Sequence, residues 1–456
     1  FSTPAEPEEI TVRLINYYDG TSVQFDNLQI TDLQSGSRKN LTFARNKLLP
    51  VQLVDRLTSI SFQERNARER LVWASDAWKI MKDYPFLGTG GGGWEAYYHQ
   101  YQDYLYWSSE VHNHWLQVGV ETGFIGLALF ALVWVSFFID IKKTRRNADN
   151  WVKVVTAGIG AATLNLGLHS FIDFNLSLPA ISFVLWSFFG ISSGLSQMRE
   201  GTYSNSTQRG SSNKPIIAMV VSVIIACAVF SLYIGHNTGQ NAAQAAREGR
   251  LEQARVLYFR AMRFDPFTAA LYIDLAQIEN AIGQYSKQVV QPLFEKGLSL
   301  EPNNPSFNLE FGRFLLQQGE ISEGLRYIER AKELEPYNVD NWENLARAKL
   351  AAVQYLREQG QEAYATELLL DIVAMPDEIT KQSNKTPERI RDLARWPLQV
   401  TPKLQMTVGQ AYYLLGDDDM AAMAFESAAK DKDIRQEIEN WLDSFQKGQS
   451  LNDIVN

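Results

Sequence analysis

Apolar positions are not spread evenly along this chain. They crowd into four runs, at about 116–139, 152–171, 178–197 and 215–235. A helix that crosses a bilayer needs roughly 20 mostly apolar residues, and each run has about that length. The second run, VKVVTAGIGAATLNLGLHSF, is rich in Gly and Ala and is the weakest of the four. The fourth, PIIAMVVSVIIACAVFSLYIG, is too long and too uniformly apolar for a buried helix of a soluble domain. Between the first two runs lies KKTRR, Lys142 to Arg146; between the last two lie Arg199, Arg209 and Lys214. Basic loops stay on the cytoplasmic side, which predicts residues 1–115, the turn HSFIDFNLSLP and everything after about 236 on the outer side.

Beyond 236 the pattern changes from runs to a long period. Gly249, Gly283 and Gly319 recur every 34–36 residues, as do Pro266, Pro302 and Pro336. That is the tetratricopeptide period. The phrases RFDP, SLEPNNP and ELEPYN close successive units, and small residues (Ala254, Ala261, Gly297, Gly324, Ala331) sit between them. Small residues let two helices approach, and the proline ends the second helix. AYYLLGDDDMAAMAFESAAK, 411–430, fits a last unit, whereas 353–400 leaves the period and is expected as an insertion with longer helices. Stacked pairs form a concave surface for a protein or peptide partner; a spacer or oligomerisation arm is the plainer alternative.

Before the first run, Trp73, Ala77, Ile80 and Met81 follow helical spacing, and Asp83-Tyr84-Pro85 ends the predicted helix. Gly88 and Gly90 to Gly93 follow. A glycine run after a helix either cradles a phosphate or serves as a turn; no Gly-Lys-Ser/Thr follows, so it is not a P-loop. Pro85 before it, and Trp94, Tyr97, Tyr98 and Tyr101 after it, favour an ordered loop. Those rings suit sugar stacking and a membrane interface equally. Arg68 and Arg70 have Glu64 and Glu69 nearby, which leaves two readings open: solvated ion pairs, or a guanidinium fork on a diphosphate.

In EVHNHW, Asn113 is a good N-cap for the helix of the first run. His112 then lies just outside the positive helix end, which favours a neutral imidazole able to accept a proton. His114, Gln117 and Glu121 fall near i, i+3 and i+7 and form one polar stripe. An ionisable Glu121 in a membrane helix should face protein or water rather than lipid. His112 and His114 lack a third ligand, and Glu95 with His99 matches no metal-ligand spacing, so no metal is expected.

Composition narrows the field. The chain has 456 residues, enough for two to four domains. A net charge of −9 without a basic stripe argues against nucleic-acid binding. The single cysteine, Cys227, excludes a disulfide scaffold and a cysteine metal site. The chain begins at Phe1 with no signal peptide after it, and is read as the C-terminal part of a longer protein.

Three phrases occur in order: RLVWASDAWKIMKDYPFLGTGGGGW, HNHWLQVGVETGFIGL and HSFIDFNLSLPA. Together they resemble the O-antigen ligase superfamily of polytopic glycosyltransferases, which includes polysaccharide polymerases and protein O-oligosaccharyltransferases. The resemblance is close over about 65–200, and some members carry a C-terminal tetratricopeptide domain. It implies an all-α fold: polytopic membrane helices with an extracytoplasmic catalytic loop, then a tetratricopeptide-like solenoid. The expected division is a loop segment at 1–60, the catalytic loop at 61–115, three transmembrane helices at 116–199, a last one at 215–235, and an extracytoplasmic repeat domain at 236–456.

The implied activity is inverting, metal-independent and free of cofactors. A glycan moves from a polyprenyl diphosphate to an acceptor hydroxyl, on a glycan or a protein, at the outer face of a bacterial cytoplasmic membrane. The family's catalytic histidine falls on His112 and its periplasmic arginine on Arg70, with Arg68 beside it as a second diphosphate ligand. Asn113, Glu121, His169 and Asp173 match the surrounding motifs and are expected to support the site. The family also has an arginine and several helices that would precede Phe1. A polymerase, whose acceptor is another lipid-linked glycan, and a non-catalytic membrane-anchored repeat scaffold are the competing readings.

Overall fold

The structure is a computed structural model that describes residues 29–31, 38–40, 65–146, 148–203, 214–283 and 287–446. The chain forms two compact units, 1–64 and 65–456. In the first, β1 (Gln29–Thr31) and β2 (Arg38–Asn40) pair antiparallel, with Ile30 opposite Lys39. The rest of the expected loop segment at 1–60, and Arg209 of the second basic loop, lie outside the described residues.

The second unit is all-α over its described residues. Helix α1 (Arg65–Asp83) forms where the spacing predicts it and buries Val72, Ala77, Ile80 and Met81. A short α2 (Gly93–Tyr97) and a 3₁₀ turn (Tyr98–Gln100) follow the glycine run. Next come four helices long and apolar enough to cross a membrane: α3 (His114–Arg145), α4 (Asn150–His169), α5 (Pro179–Tyr203) and α6 (Lys214–Arg247). This is a membrane protein. Ile216, Val220, Ile224 and Phe230 of α6 are all exposed, and a solvated surface would not tolerate so long an apolar face. Helices α3 and α5 share an aromatic core of Trp134, Phe137 and Phe189. Gly167 of α4 lets the Trp134 ring close in: a Cβ there would meet the ring at 2.6 Å.

Helix α6 does not stop where the apolar run ends. It continues to Arg247, a length of about 50 Å at 1.5 Å per residue. Its last turns bury Ala242 and Ala245 against Ala254 and Tyr258 of α7 (Leu251–Phe264). The fourth span and the first repeat are thus one helix, with no linker between them.

The repeats continue as α8 (Ala269–Ile282) with α9 (Lys287–Leu300), and α10 (Pro305–Gln317) with α11 (Ile321–Leu334). A longer pair follows, α12 (Val339–Glu358) with α13 (Glu362–Ser383). After the one-turn α14 (Glu388–Arg391) come α15 (Pro402–Leu415) with α16 (Asp418–Ala428), and then α17 (Lys432–Gln446). The periodic Gly249, Gly283 and Gly319 turn each pair at positive φ, and so do Gly360 and Gly416. The break in the period comes from a lengthened pair of 20 and 22 residues, Val339–Glu358 and Glu362–Ser383, and the off-period stretch begins inside its first helix.

What remains of that stretch, 384–400, leaves the solenoid and docks on α1. Ile390 and Leu393 join the apolar cluster of Val72, Ile80, Trp94 and Tyr98. Arg68 donates to both carboxylate oxygens of Asp392, at 2.6 and 2.7 Å, and Thr386 Oγ1 donates to the Asp103 carbonyl at 2.7 Å. The ion pair is open to water and contributes little. Burying the two apolar side chains, at about 1.5–3 kcal/mol each, dominates the docking. The repeat domain is therefore held at two places, by α6 at its start and by this crosspiece ahead of α15.

Candidate active site

The glycine run is an ordered loop. Helix α3 breaks at Gly123, whose φ of 67° and ψ of −173° are not helical. The break leaves the carbonyls of Val120 and Glu121 without their helical donors, and the loop supplies them. Thr89 N donates to Val120 O and Gly90 N to Glu121 O, both at 2.9 Å, while Phe124 N turns to Pro85 O at 2.7 Å. The Glu121 side chain faces protein, as its cost in a membrane helix requires. Its Oε1 accepts from Gln117 Nε2 at 2.7 Å and from Gly92 N at 3.3 Å. Gln117 in turn accepts from Val111 N at 3.0 Å. A line of hydrogen bonds thus runs from the loop to the residue before His112.

His112 has φ +56°, the one non-glycine residue with positive φ among the described residues. That conformation costs about 1–2 kcal/mol and is sustained by its neighbours. Val111 is tied to Gln117, and Asn113 caps α3 by accepting from Leu116 N at 3.1 Å. The strained backbone aims the imidazole into an aromatic slot. Trp73 stacks on it at 4.8 Å and Phe174 meets it edge-on at 4.8 Å. His112 Nδ1 is buried and lies 3.8 Å from Asp173 Oδ1. Arg70, one turn before Trp73 on α1, donates from Nη1 to Ile172 O at 2.7 Å. Its other N–H groups show no hydrogen bond to the described residues. Burial, and then the Arg70 charge, hold the His112 pKa below the ordinary histidine value; Asp173 pulls the other way. The ring is therefore neutral near pH 7 and able to take a proton.

The turn after α4 brings Asp173 to this place. His114 N donates to Ser170 O at 2.8 Å and Trp115 Nε1 to Ser170 Oγ at 3.0 Å. His169 Nδ1 lies 2.9 Å from Asn175 Nδ2 and braces the turn from within. Of the residues singled out from sequence, Arg70, His112 and Asp173 come together, with Asn113, Glu121 and His169 shaping their backbone. His114 leaves the expected stripe: its Nδ1 faces Ser177 Oγ at 3.5 Å. Arg68 is not in the cluster, because its fork is held by Asp392. Sequence reading missed Trp73 and Phe174 as walls of the slot. Trp73 had a signal, since it stands three residues after Arg70 on a helix. No group of three or more His, Cys, Asp or Glu side chains with metal-ligand spacing occurs among the described residues.

Asp76, on the other face of α1, is 0% exposed. It accepts from Lys79 Nζ and from the Tyr106 hydroxyl, both at 2.8 Å. Burial raises its pKa from 3.8 to about 6, against the pull of Lys79 and Tyr106. The folded protein therefore binds this proton more tightly than the unfolded chain. Its contribution to stability falls as pH rises from 3.8 to about 6, by about 3 kcal/mol in all. Asp76→Asn should remove that slope. Thermal midpoints of both proteins across pH 4–7 check it: the wild type should lose ground to the variant as pH rises, and parallel curves would refute the buried proton.

Residues 33–131 match the family model for O-antigen ligase. The match covers α1, the glycine loop, His112 and the kinked half of α3. The match takes in Arg70 and His112 but ends before Asp173, and it supports a ligase or glycosyltransferase-type role. No curated protein matches the chain. Among solved structures, a crystal structure of MamA is similar at 16% identity and TM-score 0.30, over 43% of this chain and 96% of that one. A double mutant of MamA is similar at 18% identity and TM-score 0.31, over 46% and 97%. PilF of Pseudomonas aeruginosa is similar at 18% identity and TM-score 0.25, over 42% and 89%.

Proposed function

We propose that this chain transfers a glycan from a polyprenyl diphosphate to an acceptor hydroxyl at the outer face of a bacterial cytoplasmic membrane. The carrying observation is the meeting of Arg70, His112 and Asp173, from three separate elements, at one end of the apolar helices. The opposite end of α3 carries Lys142, Lys143 and Arg145, as a cytoplasmic end should. In this reading the glycine loop, the 170–178 turn and the repeats share the outer side, and the docking of the crosspiece on α1 supports their being on one side together.

In this reading Arg70 binds the donor diphosphate with the N–H groups left free by Ile172. Its charge stabilises the negative charge that builds on the leaving phosphate. His112 takes the acceptor proton at Nε2, while Asp173 faces Nδ1 and steadies the imidazolium that forms. The hydroxyl oxygen then bonds to the anomeric carbon as the carbon–phosphate oxygen bond breaks, with inversion. Trp73 and Phe174 keep water from the ring. Arg68 we assign to docking rather than to phosphate.

The test is complementation in a strain lacking the gene, with lipid-linked glycan measured by mass spectrometry. The deletion should accumulate lipid-linked glycan and leave acceptors unmodified, and wild type should restore transfer. Arg70→Lys should restore less than about a tenth, because an ammonium keeps the charge but loses the planar fork. Full restoration by Arg70→Lys would refute the diphosphate role, and a deletion without accumulated glycan would refute the activity.

A further inference from the structure

A second cavity, of about 630 Å³, opens between the glycine loop and the repeat domain. Gly91 to Gly93, Glu95, Tyr97 and Trp107 form one wall. The turns that join the repeat pairs, 300–307 with Glu335 and Asn338, form the other. Its size falls within the roughly 300–1,000 Å³ of small-ligand sites. His99 Nδ1, 2.9 Å from Glu335 Oε1, ties the two walls at the back.

The lining selects a chemistry. Among the described residues it contains no Lys or Arg, and it contains three carboxylates, Glu95, Glu301 and Glu335. A diphosphate, an acidic glycan or a phospholipid headgroup would be repelled, so the donor's charged end belongs at Arg70 and not here. Glu335 is engaged by His99, Asn338 and Asn341, while Glu95 is exposed. Trp107 is 55% exposed, an unusual cost for an indole, with its edge held by Trp396 at 4.9 Å. Flat rings at Tyr97, Trp107 and Phe307, with carboxylate acceptors between them, suit a neutral polyhydroxylated ligand. The C–H faces of pyranose rings pack on aromatics, and sugar hydroxyls donate to carboxylates.

The cavity also connects to His112. Gly92 lines it, and Gly92 N is bonded to Glu121, Glu121 to Gln117, and Gln117 to Val111 N. An occupant pressing on the loop acts one hydrogen-bonded line away from the strained His112 backbone.

We propose that this cavity binds a neutral oligosaccharide of the acceptor. The word acceptor rests on the glycan-transfer reading above; the saccharide binding does not, and it is tested without turnover. Saturation-transfer NMR on the detergent-solubilised full chain would use three neutral probes: maltohexaose, chitohexaose and mannohexaose. Hexagalacturonate serves as the anionic control and hexalysine as the basic-peptide control. Saturable binding of a neutral probe is expected, with none of hexagalacturonate. Ser306→Trp, which fills the cavity from an exposed position, and Glu95→Gln, which removes one acceptor, should each weaken it about tenfold. Circular dichroism of both variants should match wild type, and at least one folded variant is needed to read the result. Binding of hexalysine in place of the saccharides, binding of none of the neutral probes, or wild-type affinity in the folded variants would each overturn the proposal. A His112→Ala protein that transfers nothing yet binds the probe leaves the cavity assignment standing. A wild type that binds but never transfers would sink the transfer reading alone.

Discussion

His112→Ala should abolish transfer in the full-length protein while leaving it inserted in the membrane. General-base catalysis is worth about 10²–10⁴-fold, so the loss should be about 3–5 kcal/mol of barrier. Alanine also changes the backbone cost at φ +56°, so His112→Asn is the better second variant. Asparagine accepts the left-handed region readily and keeps a polar side chain, yet cannot take the proton. Both variants should be equally inactive in proteoliposomes charged with polyprenyl-diphosphate glycan. If the asparagine variant retains even a third of wild-type rate, the histidine is a structural anchor and not the base.

The pH profile gives an independent check on the same residue. The proposed reaction needs the neutral ring, and His112 is held below its ordinary pKa of 6.5. The acid limb of the rate should therefore lie below pH 6.5. Asp173 raises this pKa, so Asp173→Asn should move the limb further down while also slowing the reaction.

Much of this was legible in the sequence because it is written in local pattern. Four apolar runs gave four helices, and glycines at a period of 34–36 residues gave the turns of the repeat pairs. Asn113 capped α3 as its position before the apolar run requires. Arg70 was singled out only through family resemblance, since an arginine beside two glutamates reads equally as a surface ion pair. What escaped depends on contacts between distant residues. Arg68 and Arg70 are two apart and look alike, but helical spacing points them to different partners, Asp392 and Ile172. No pattern in the first hundred residues announces a crosspiece three hundred residues later. The α6 helix overran its apolar run because Gly239 and the small Ala242 and Ala245 suit a repeat interface as well as a helix. The left-handed turn at His112 and the break at Gly123 are backbone states, and a glycine in an apolar run is silent about which it adopts.

Gly123 carries the largest structural prediction. A Cβ at Gly123 would sit 2.3 Å from Phe86 O and 2.7 Å from Gly88 N, backbone atoms that no rotamer change can move. Its φ and ψ also belong to a region open only to glycine, worth about 1–3 kcal/mol of strain for any other residue. Gly123→Ala should therefore either straighten α3 or push the 86–90 loop away, and both outcomes break the bonds from Thr89 and Gly90 to α3. With the loop released, Glu121 loses Gly92, Gln117 loses its restraint, and the His112 backbone has less reason to stay strained. The variant should lose several degrees of thermal midpoint in detergent, become open to protease at 86–93, and lose most transfer. Two neighbours calibrate the effect. Gly90 has φ +90° with nothing within 4 Å of a Cβ, so Gly90→Ala should show strain alone, about 1 kcal/mol. Gly91 has open space and no positive φ, so Gly91→Ala should be close to neutral. The expected order of damage is Gly123, Gly90, Gly91. If Gly123→Ala behaves like Gly91→Ala, the loop is not locked into the kink, and the line of hydrogen bonds from the cavity to His112 has no rigid support.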